Sequence, residues 1–459
     1  MSERLLSVGL DVGTTTTQLI VSELTVENRA SGFAVPHMQI TDRKLLYKSP
    51  VHFTPLLDQS HVDGQAIRAL VQAEYTHAGI TADQVDTGAV IITGETSRKE
   101  NARSVLESLS GFAGDFVVAT AGPDLESVLA AKGAGAAERS AKTGQTVLHM
   151  DIGGGTSNLA LIRDGRITKT GCLNVGGRLL KFDSAGRVSY VSPVLAGLTD
   201  LRPGEYPAEG QVEALAQILT HALEMAAGLR VPTELLDKLM TQESSEKWLP
   251  PEDKPVISFS GGVADCIEQQ HLPRRFGDMG PALGQAIRKS RLCQGPYMLG
   301  EHTIRATVIG AGCHSAQLSG STVFFRGVQF PMKNLPVAVL TEQEQCDPTR
   351  IAEKLRRQDA DTVVLAMPGF PAADYAQVTA LAQAIAAGTG GRPVYICLEQ
   401  DMAKALGHSL CLRLPQDIPC LCIDRLRLEE GSFLDVGAPV GPALPVVIKT
   451  LVLTPTNSI

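Results

Sequence analysis

Short apolar runs alternate with glycine-rich turns along this chain, and the pattern predicts strands and helices of an α/β fold. An apolar strand at 5–10 ends at Asp11, and a Gly/Thr turn leads into a returning strand. The same order recurs after residue 147, where a strand ends at Asp151 and a Gly-rich turn follows. The segments DVGTTTTQLIV and DIGGGTSNLALI match after one inserted residue, and the second begins 140 residues after the first. Because this separation is too long for a solenoid repeat, it predicts two similar domains that open with the same hairpin.

The remaining apolar positions divide the chain further. Helical spacing predicts helices at 66–78, 97–109, 124–132, 212–226 and 233–240. Residues 280–320 are predicted to be helical with glycine interruptions. After the proline-bearing stretch 331–336, strands alternate with helices, which is typical of βαβ units on a parallel sheet. We therefore predict three domains, at 1–145, 146–330 and 335–459.

Composition excludes several classes of protein. The net charge is −8 and aromatic residues make up 4%, which disfavours DNA or RNA as the main partner. No apolar stretch approaches the roughly 18 residues of a membrane helix, and Asp11 interrupts the N-terminal apolar run early, unlike a signal peptide. Nine cysteines are few and odd in number, which indicates reduced thiols and predicts a cytoplasmic protein.

The two Asp-Gly turns carry the first candidate chemistry. In each turn a strand delivers a carboxylate, Asp11 or Asp151, and glycine then lets successive N–H groups and hydroxyls face a phosphate. The paired carboxylates would hold a hydrated Mg²⁺, which needs few protein ligands. Two ordinary hairpins with Asp-Gly turn chemistry are the alternative. The predicted phosphate-binding residues are Gly13, Thr14, Thr15, Gly153, Gly154, Gly155, Thr156 and Ser157.

A third motif is FSGGVA at 259–264, where a buried strand runs into two glycines and then a helix. Gly261 and Gly262 would let a flat ligand such as adenine lie against the backbone. A plain strand-to-helix turn is the alternative. The chain contains neither a Walker A motif nor a complete G-x-G-x-x-G, so a P-loop or Rossmann nucleotide site is unsupported.

Histidine gives no metal site by spacing, because none of the ten His residues shows zinc spacing with Cys or Glu. His149 lies two residues before Asp151 and shares its face by strand alternation. We interpret His149 as structural.

The order DxGTT, DxGGGTS, SGGV resembles the phosphate-1, phosphate-2 and adenosine motifs of the actin, sugar-kinase and heat-shock chaperone ATPases. The stretch TGET at 93–96 resembles the first connecting motif of that superfamily, and RATVIGAG at 305–312 resembles the second. Within the superfamily, ITGETSRKENARSVLE, LHMDIGGGTSNLALI, LNVGGRLL, FSGGVAD and ATVIGAGCHSAQLSGSTV resemble the ethanolamine ammonia-lyase reactivating factors. That resemblance extends over the whole chain.

The resemblance implies two actin-like (ribonuclease H-like) ATPase domains around a nucleotide cleft, followed by a C-terminal α/β domain. It implies ATP and Mg²⁺ as cofactors, with Asp11 and Asp151 coordinating Mg²⁺ through water and Gly261 and Gly262 against the adenosine. It also implies a slow ATPase that acts on a cobalamin enzyme, ethanolamine ammonia-lyase, and releases damaged cobalamin so that adenosylcobalamin can bind. A homodimer and a place in a bacterial microcompartment stay open.

Glu95, in the first connecting motif, is the candidate catalytic residue beside Asp11 and Asp151. Its carboxylate would orient the attacking water, as positioning groups do in phosphoryl transfer. The alternative is a charge that favours the N-terminal dipole of the helix predicted after it.

Two other functions stay open on the same fold. One is a small-molecule kinase or phosphatase; a kinase would need a base for a substrate hydroxyl, and no clear Asp motif for that role lies between 180 and 255. A filament protein would not need the additional domain at 335–459.

Overall fold

The computed structural model describes most of the chain, and the structural statements below concern these residues: 2–13, 16–28, 38–58, 61–92, 117–120, 123–241, 248, 250–251, 254–269, 271–272, 274–300, 303–314, 316–319, 322–358, 360, 362–428, 432–439 and 443–450. None of the helices in these ranges is long and apolar enough to cross a membrane. The helix predicted at 97–109 lies outside them.

The first sheet contains the N-terminal hairpin. Its strands are β1 (Ser2–Val12), β2 (Thr16–Asn28), β3 (Met38–Lys48), β4 (His52–Phe53), β5 (Thr87–Ile92) and β6 (Val117–Thr120). They lie in the order β3-β2-β1-β5-β6, with β4 beside β2. Strand β1 is antiparallel to β2 and parallel to β5, and β5 is parallel to β6. Helix α1 (Gly64–Ala78) covers one face through Ile67, Val71 and Tyr75. Every residue of β5 is buried because apolar layers cover both faces of the sheet.

The second sheet follows the second hairpin. Its strands are β7 (Val147–Ile152), β8 (Ser157–Arg163), β9 (Arg166–Leu173), β12 (Val256–Ser260) and β13 (Tyr297–Leu299), and a separate hairpin is formed by β10 (Leu180–Phe182) and β11 (Val188–Val191). The helices around it are α2 (Pro123–Gly133), α3 (Ala136–Thr143), α4 (Gln211–Ala226), α5 (Glu234–Leu239), α6 (Asp265–Glu268) and α7 (Gly280–Lys289). Short 3-10 turns lie at Ala82–Gln84, Pro193–Leu195, Arg291–Cys293 and Thr303–Arg305.

The two sheets share one topology. The second sheet has the order β13-β12-β7-β8-β9, with β7 antiparallel to β8 and parallel to β12. When the two-residue strand β4 is left out and strands are counted from the first of each sheet, both sheets have the order 3-2-1-4-5, with the second strand antiparallel to the first. This is the ribonuclease H-like arrangement, so the predicted α/β fold with two actin-like sheets is confirmed.

Helix α8 (Ala306–His314) packs on the first sheet and on α2 through glycine contacts. A Cβ built on Gly9 of β1 would lie 2.6 Å from the Val308 carbonyl oxygen, and one on Gly310 would lie 2.0 Å from the Leu129 carbonyl oxygen. Only glycine therefore permits this backbone-to-backbone packing. Among the glycine interruptions read from the sequence at 280–320, Gly310 and Gly312 are close approaches of this kind, whereas a Cβ built on Gly295 would meet no atom within 4 Å. The prediction of helix throughout was wrong in part, because β13 and a second strand at Ala316–Leu318 also lie in this stretch.

The third sheet occupies the C-terminal part. Its strands are β14 (Ala316–Leu318), β15 (Phe324–Arg326), β16 (Met332–Val339), β17 (Val364–Met367), β18 (Val394–Leu398), β19 (Cys420–Ile423), β20 (Ser432–Val436) and β21 (Pro445–Thr450). Strands β16, β17, β18 and β19 are parallel neighbours, and the connecting helices are α9 (Pro348–Arg356), α10 (Tyr375–Thr389) and α11 (Ala403–Cys411). The alternation predicted here is confirmed. Strands β14 and β15 precede residue 335 yet pair in this sheet, and the domain bounds themselves stay a prediction.

Candidate functional site

The two Gly-rich turns close with the same hydrogen bond. The Gly13 N–H donates to the Thr16 carbonyl oxygen at 2.9 Å, and the Gly153 N–H donates to the Thr156 carbonyl oxygen at 2.9 Å. Gly13 and Gly153 are 140 residues apart, and so are Thr16 and Thr156. The backbone positions of the two turns therefore correspond without an insertion, and the one inserted residue expected from comparing the two sequences was wrong.

The two carboxylates occupy equivalent positions in their hairpins. Asp11 pairs with Gln18 across β1 and β2, and Asp151 pairs with Asn158 across β7 and β8. Asp11 is half-buried and Asp151 is buried. The hairpin geometry therefore repeats down to the acidic residue and the amide opposite it.

The predicted phosphate-binding positions differ in their surroundings. Gly153 and Gly154 are half-buried, Gly155 is exposed, and a Cβ built on Gly155 would meet no atom within 4 Å. Thr156 is half-buried. The second turn thus has open space on its outer side. Thr14, Thr15 and Glu95 lie outside the described residues.

Ser157 does not point where the sequence suggested. Its side chain is fully buried, and its hydroxyl donates to the Val175 carbonyl oxygen at 2.7 Å. Because β8 begins at this residue and alternation turns the side chain inward, the hydroxyl holds the turn in place. The predicted contact between this hydroxyl and a phosphate is not supported.

The Asp151 carboxylate is held by two hydroxyl groups. Ser260 Oγ donates to Oδ1 at 2.5 Å, and Thr307 Oγ1 donates to Oδ2 at 3.5 Å. Burial raises the pKa of Asp151 to about 6, and these two hydrogen bonds oppose that shift. When this buried carboxyl group is ionised, a bound cation would stabilise its negative charge.

His149 lies behind Ser260 in the same sheet. Its Nε2 atom is 2.9 Å from Ser260 Oγ, and its Nδ1 atom is 2.9 Å from Ser258 Oγ. The ring is fully buried, and burial lowers the pKa of His149 to about 3, so the ring is neutral. The interpretation of His149 as structural missed this link to Asp151, which needs the pairing of β7 with β12 to be seen.

The segment at 303–312 touches both hairpins. The Gln18 side-chain amide donates to the Ile304 carbonyl oxygen at 3.1 Å, beside Asp11 on the neighbouring strand. Thr307 of the same segment donates to Asp151. The segment 303–312, which contains the stretch that resembles the second connecting motif, therefore contacts both Asp-Gly hairpins.

Arg178 is a further charged residue at the second turn that the sequence reading missed. Its backbone N–H donates to the Gly154 carbonyl oxygen at 2.6 Å, and a Cβ built on Gly154 would lie 3.2 Å from Arg178 Cδ. Its Nε atom lies 3.3 Å from Asp278 Oδ2, and 26% of its side chain is exposed. The ion pair anchors one edge of the guanidinium beside the turn. The signal was the basic residue that directly follows two glycines in LNVGGRLL.

The two glycines of the third motif have different roles. Gly261 has a φ of 86°, and a Cβ built on it would lie 2.3 Å from the Ile152 carbonyl oxygen. A Cβ on Gly262 would meet only Ile304 Cδ1, at 3.9 Å. Gly261 therefore joins β12 to the end of β7, whereas Gly262 leaves space beside the backbone.

This difference gives a matched pair of variants. We expect Gly261→Ala to lower the free energy of unfolding by about 2–4 kcal/mol, because it adds both left-handed strain and overlap with a carbonyl. Gly262→Ala should leave the free energy of unfolding within about 0.5 kcal/mol of the parent and lower adenine-nucleotide affinity several-fold. Urea unfolding and nucleotide titration measure both effects. Unchanged affinity in a folded Gly262→Ala protein would contradict the adenosine motif.

Two sheets of the same ribonuclease H-like order, each with an Asp-Gly turn at the end of its first strand, define an actin-like fold protein. The chain belongs to the family of the ethanolamine utilisation protein EutA, whose family model matches residues 3–454. It is 40% identical to the ethanolamine ammonia-lyase reactivase EutA of Salmonella typhimurium, over 98% of this chain and 99% of that protein. It is 39% identical to the Escherichia coli protein of the same name, over the same shares of the two chains.

Solved structures with lower similarity were also found. The PPX-GPPA enzyme of Aquifex aeolicus is 11% identical, with a TM-score of 0.41 over 67% of this chain and 99% of that chain. The ethanolamine utilization protein EutJ of Carboxydothermus hydrogenoformans is 16% identical, with a TM-score of 0.31 over 67% of this chain and 88% of that chain.

Proposed function

We propose that the chain is an ATP-dependent reactivating factor for ethanolamine ammonia-lyase. It uses ATP to release damaged cobalamin from the lyase, so that intact adenosylcobalamin can bind. The observation that carries this proposal is the match along 98% of the chain to two proteins named as reactivases of that enzyme. The protein would act in the cytoplasm, with the lyase as its partner and with neither a nucleic acid nor a membrane.

The nucleotide requirement rests on the repeated turn. The N–H groups of Gly13 and Gly153 close their turns, so the backbone N–H groups of Gly154 and Gly155, together with Thr14 and Thr15, would hold the phosphates. Gly13 and Gly153 would let the backbone approach them closely, and Gly261 and Gly262 would lie beside the adenosine. Such turns bind anions because successive N–H groups converge on them. Glu95 would orient the attacking water.

Magnesium fits the donor set at the second turn. Asp151 is a buried carboxylate whose described partners are hydroxyl donors, and open space lies beyond Gly155. Asp11 and Asp151 would hold the ion through water, since Mg²⁺ keeps most of its hydration shell. The bound ion would neutralise charge on the transferred phosphate. The chain's own part is to hold the carboxylates and the turns in fixed positions.

The test uses the intact lyase blocked with an inert cobalamin. Ethanolamine ammonia-lyase inactivated with cyanocobalamin is incubated with the full chain, ATP, Mg²⁺ and adenosylcobalamin, and ammonia release and free cyanocobalamin are measured. Activity should return only when all four are present. Equal recovery without ATP would contradict the proposal. ATP-dependent phosphorylation of a metabolite without reactivation would favour the kinase alternative.

A further inference from the structure

Four buried polar side chains form a continuous hydrogen-bonded chain behind the second turn. Neighbouring strands β7 and β12 are parallel, and their register places Ser258 opposite His149 and Ser260 opposite Asp151. All four are at most 9% exposed. The successive contacts are Ser258 Oγ to His149 Nδ1 at 2.9 Å, His149 Nε2 to Ser260 Oγ at 2.9 Å, and Ser260 Oγ to Asp151 Oδ1 at 2.5 Å.

The Asp151 carboxylate at one end decides which atom is the donor in each of these hydrogen bonds. Ser260 has a single hydroxyl proton, and an ionised Asp151 can only accept, so the proton of Ser260 is directed to Oδ1. His149 must then donate from Nε2 to Ser260. A neutral imidazole has one donor and one acceptor nitrogen, so Nδ1 accepts from the Ser258 hydroxyl.

We propose that His149 is a positioning residue for the nucleotide site. It holds the Ser260 hydroxyl in the direction that gives Asp151 Oδ1 a hydrogen bond and thereby fixes one orientation of the carboxylate. This role rests on the proposed function, because it matters only if Asp151 holds hydrated Mg²⁺ and nucleotide. Ser260 also directly precedes Gly261 and Gly262, so the same hydrogen bonds connect the adenosine motif with the carboxylate.

A buried histidine that only fills space would act differently. Space filling depends on volume, and it would be indifferent to which ring nitrogen carries the proton. Positioning requires a donor at the Nε2 location and tolerates the loss of the group at the Nδ1 location. Outer partners of metal-holding ligands have measurable effects of this kind, since their loss typically costs about 10–100-fold in metal affinity or activity.

The first measurement concerns the proton itself and needs no activity. Long-range ¹H–¹⁵N spectra of the full chain with ¹⁵N-labelled histidine report the tautomer of each ring, and the signal of His149 is the one lost in His149→Gln. We expect a neutral ring with the proton on Nε2, unchanged between wild type and Asp11→Asn. A proton on Nδ1 would mean that Nε2 accepts from Ser260 instead of donating to it, and it would overturn the proposal.

The second measurement compares two amide replacements. A glutamine amide reaches the Nε2 location and can donate to Ser260, whereas an asparagine amide reaches only the Nδ1 location beside Ser258. We expect His149→Asn to raise the Mg²⁺ concentration needed for binding of a non-hydrolysable ATP analogue about 10-fold, and His149→Gln to stay within about 3-fold of wild type. Titration calorimetry gives the affinities, and urea unfolding gives the stability of each variant.

Ser258→Ala serves as the matched control, because it removes a hydroxyl from the far end and leaves the contact between His149 and Ser260. It should change the Mg²⁺ requirement less than His149→Asn at comparable loss of stability. Equal Mg²⁺ requirements in the two amide variants at equal stability would overturn the positioning role. If the wild-type protein binds no Mg-nucleotide, the proposed function is wrong. The tautomer of His149 would still show which atoms donate in these hydrogen bonds.

Discussion

Replacing Asp151 by Asn is expected to lower ATP hydrolysis at least about 100-fold and to make the ligand-free protein more stable. The amide keeps the shape of the side chain and can still accept a hydrogen bond from Ser260, so folding has no steric obstacle. Under the proposed function, hydrolysis falls because the amide lacks the charge that would hold hydrated Mg²⁺ at the transferred phosphate.

The gain in stability follows from the pKa of Asp151. Burial raises this pKa to about 6, above the value of about 3.9 for an unfolded aspartate. Between these values the folded chain binds more protons than the unfolded chain, so stability falls as pH rises from about 4 to 6 and stays reduced above that. Two pKa units correspond to about 3 kcal/mol, which is the most that Asp151→Asn should add above pH 6.

Urea unfolding without Mg²⁺ measures this difference at pH 7.5 and again near pH 4, where it should vanish. Asp164→Asn is the matched control, because Asp164 is exposed in the turn between β8 and β9, where a φ of 49° also suits asparagine. It should change neither hydrolysis nor stability. Normal hydrolysis by Asp151→Asn would show that this carboxylate does not hold the metal.

Replacing Arg178 by Gln is expected to lower the turnover number about 100-fold while nucleotide affinity falls less than about 10-fold. The aliphatic part of the Arg178 side chain lies against Gly154 of the second turn, and the ion pair with Asp278 fixes the guanidinium before any ligand arrives. A cation held in this way stabilises charge that develops during phosphoryl transfer more than charge already present in bound ATP. Single-turnover hydrolysis and equilibrium nucleotide binding separate the two effects.

Two controls test whether Arg178 acts on phosphate or only on the fold. Arg187→Gln removes an equal charge from the neighbouring hairpin, where Arg187 is exposed and contacts Tyr206, and it should leave turnover unchanged. Asp278→Asn loosens the guanidinium while keeping its charge, so turnover should fall less than in Arg178→Gln. If Asp278→Asn and Arg178→Gln reduce stability equally and leave turnover normal, the ion pair is structural.

The sequence predicted the architecture because its signals are local. The Asp-Gly turns, the strand pattern on both sides of each turn and the strand–helix alternation after residue 335 all lie within short stretches, and the sheets follow them. Strands β13 and β14 were missed because three residues are too few for a period of two to stand out. The inserted residue was inferred by matching residue types in the two segments. The equivalent positions are instead defined by the hydrogen bonds that close the two Asp-Gly turns, and these need no insertion.

The site was only partly predictable, because its contacts cross the fold. Ser260 and Asp151 are 109 residues apart and meet only because β12 lies beside β7. Arg178 reaches Gly154 because the chain returns to the turn after β8 and β9. Ser157 was taken for a phosphate ligand because its residue type suits that role, but strand alternation buries it. Sequence patterns thus identify which residue types surround a site more readily than which side chains point into it.

Helix α8 offers a mechanical consequence. Its contacts with β1 and α2 join backbone to backbone at Gly9 and Gly310, with no layer of side chains between them. Side chains can change rotamer and absorb a displacement, but peptide groups in direct contact cannot. Helix α8 and the first sheet would therefore move as one body. If the two sheets separate during a catalytic cycle, one contact that would lengthen is the hydrogen bond between Thr307 and Asp151, which at 3.5 Å is already longer than the bond from Ser260 to that carboxylate.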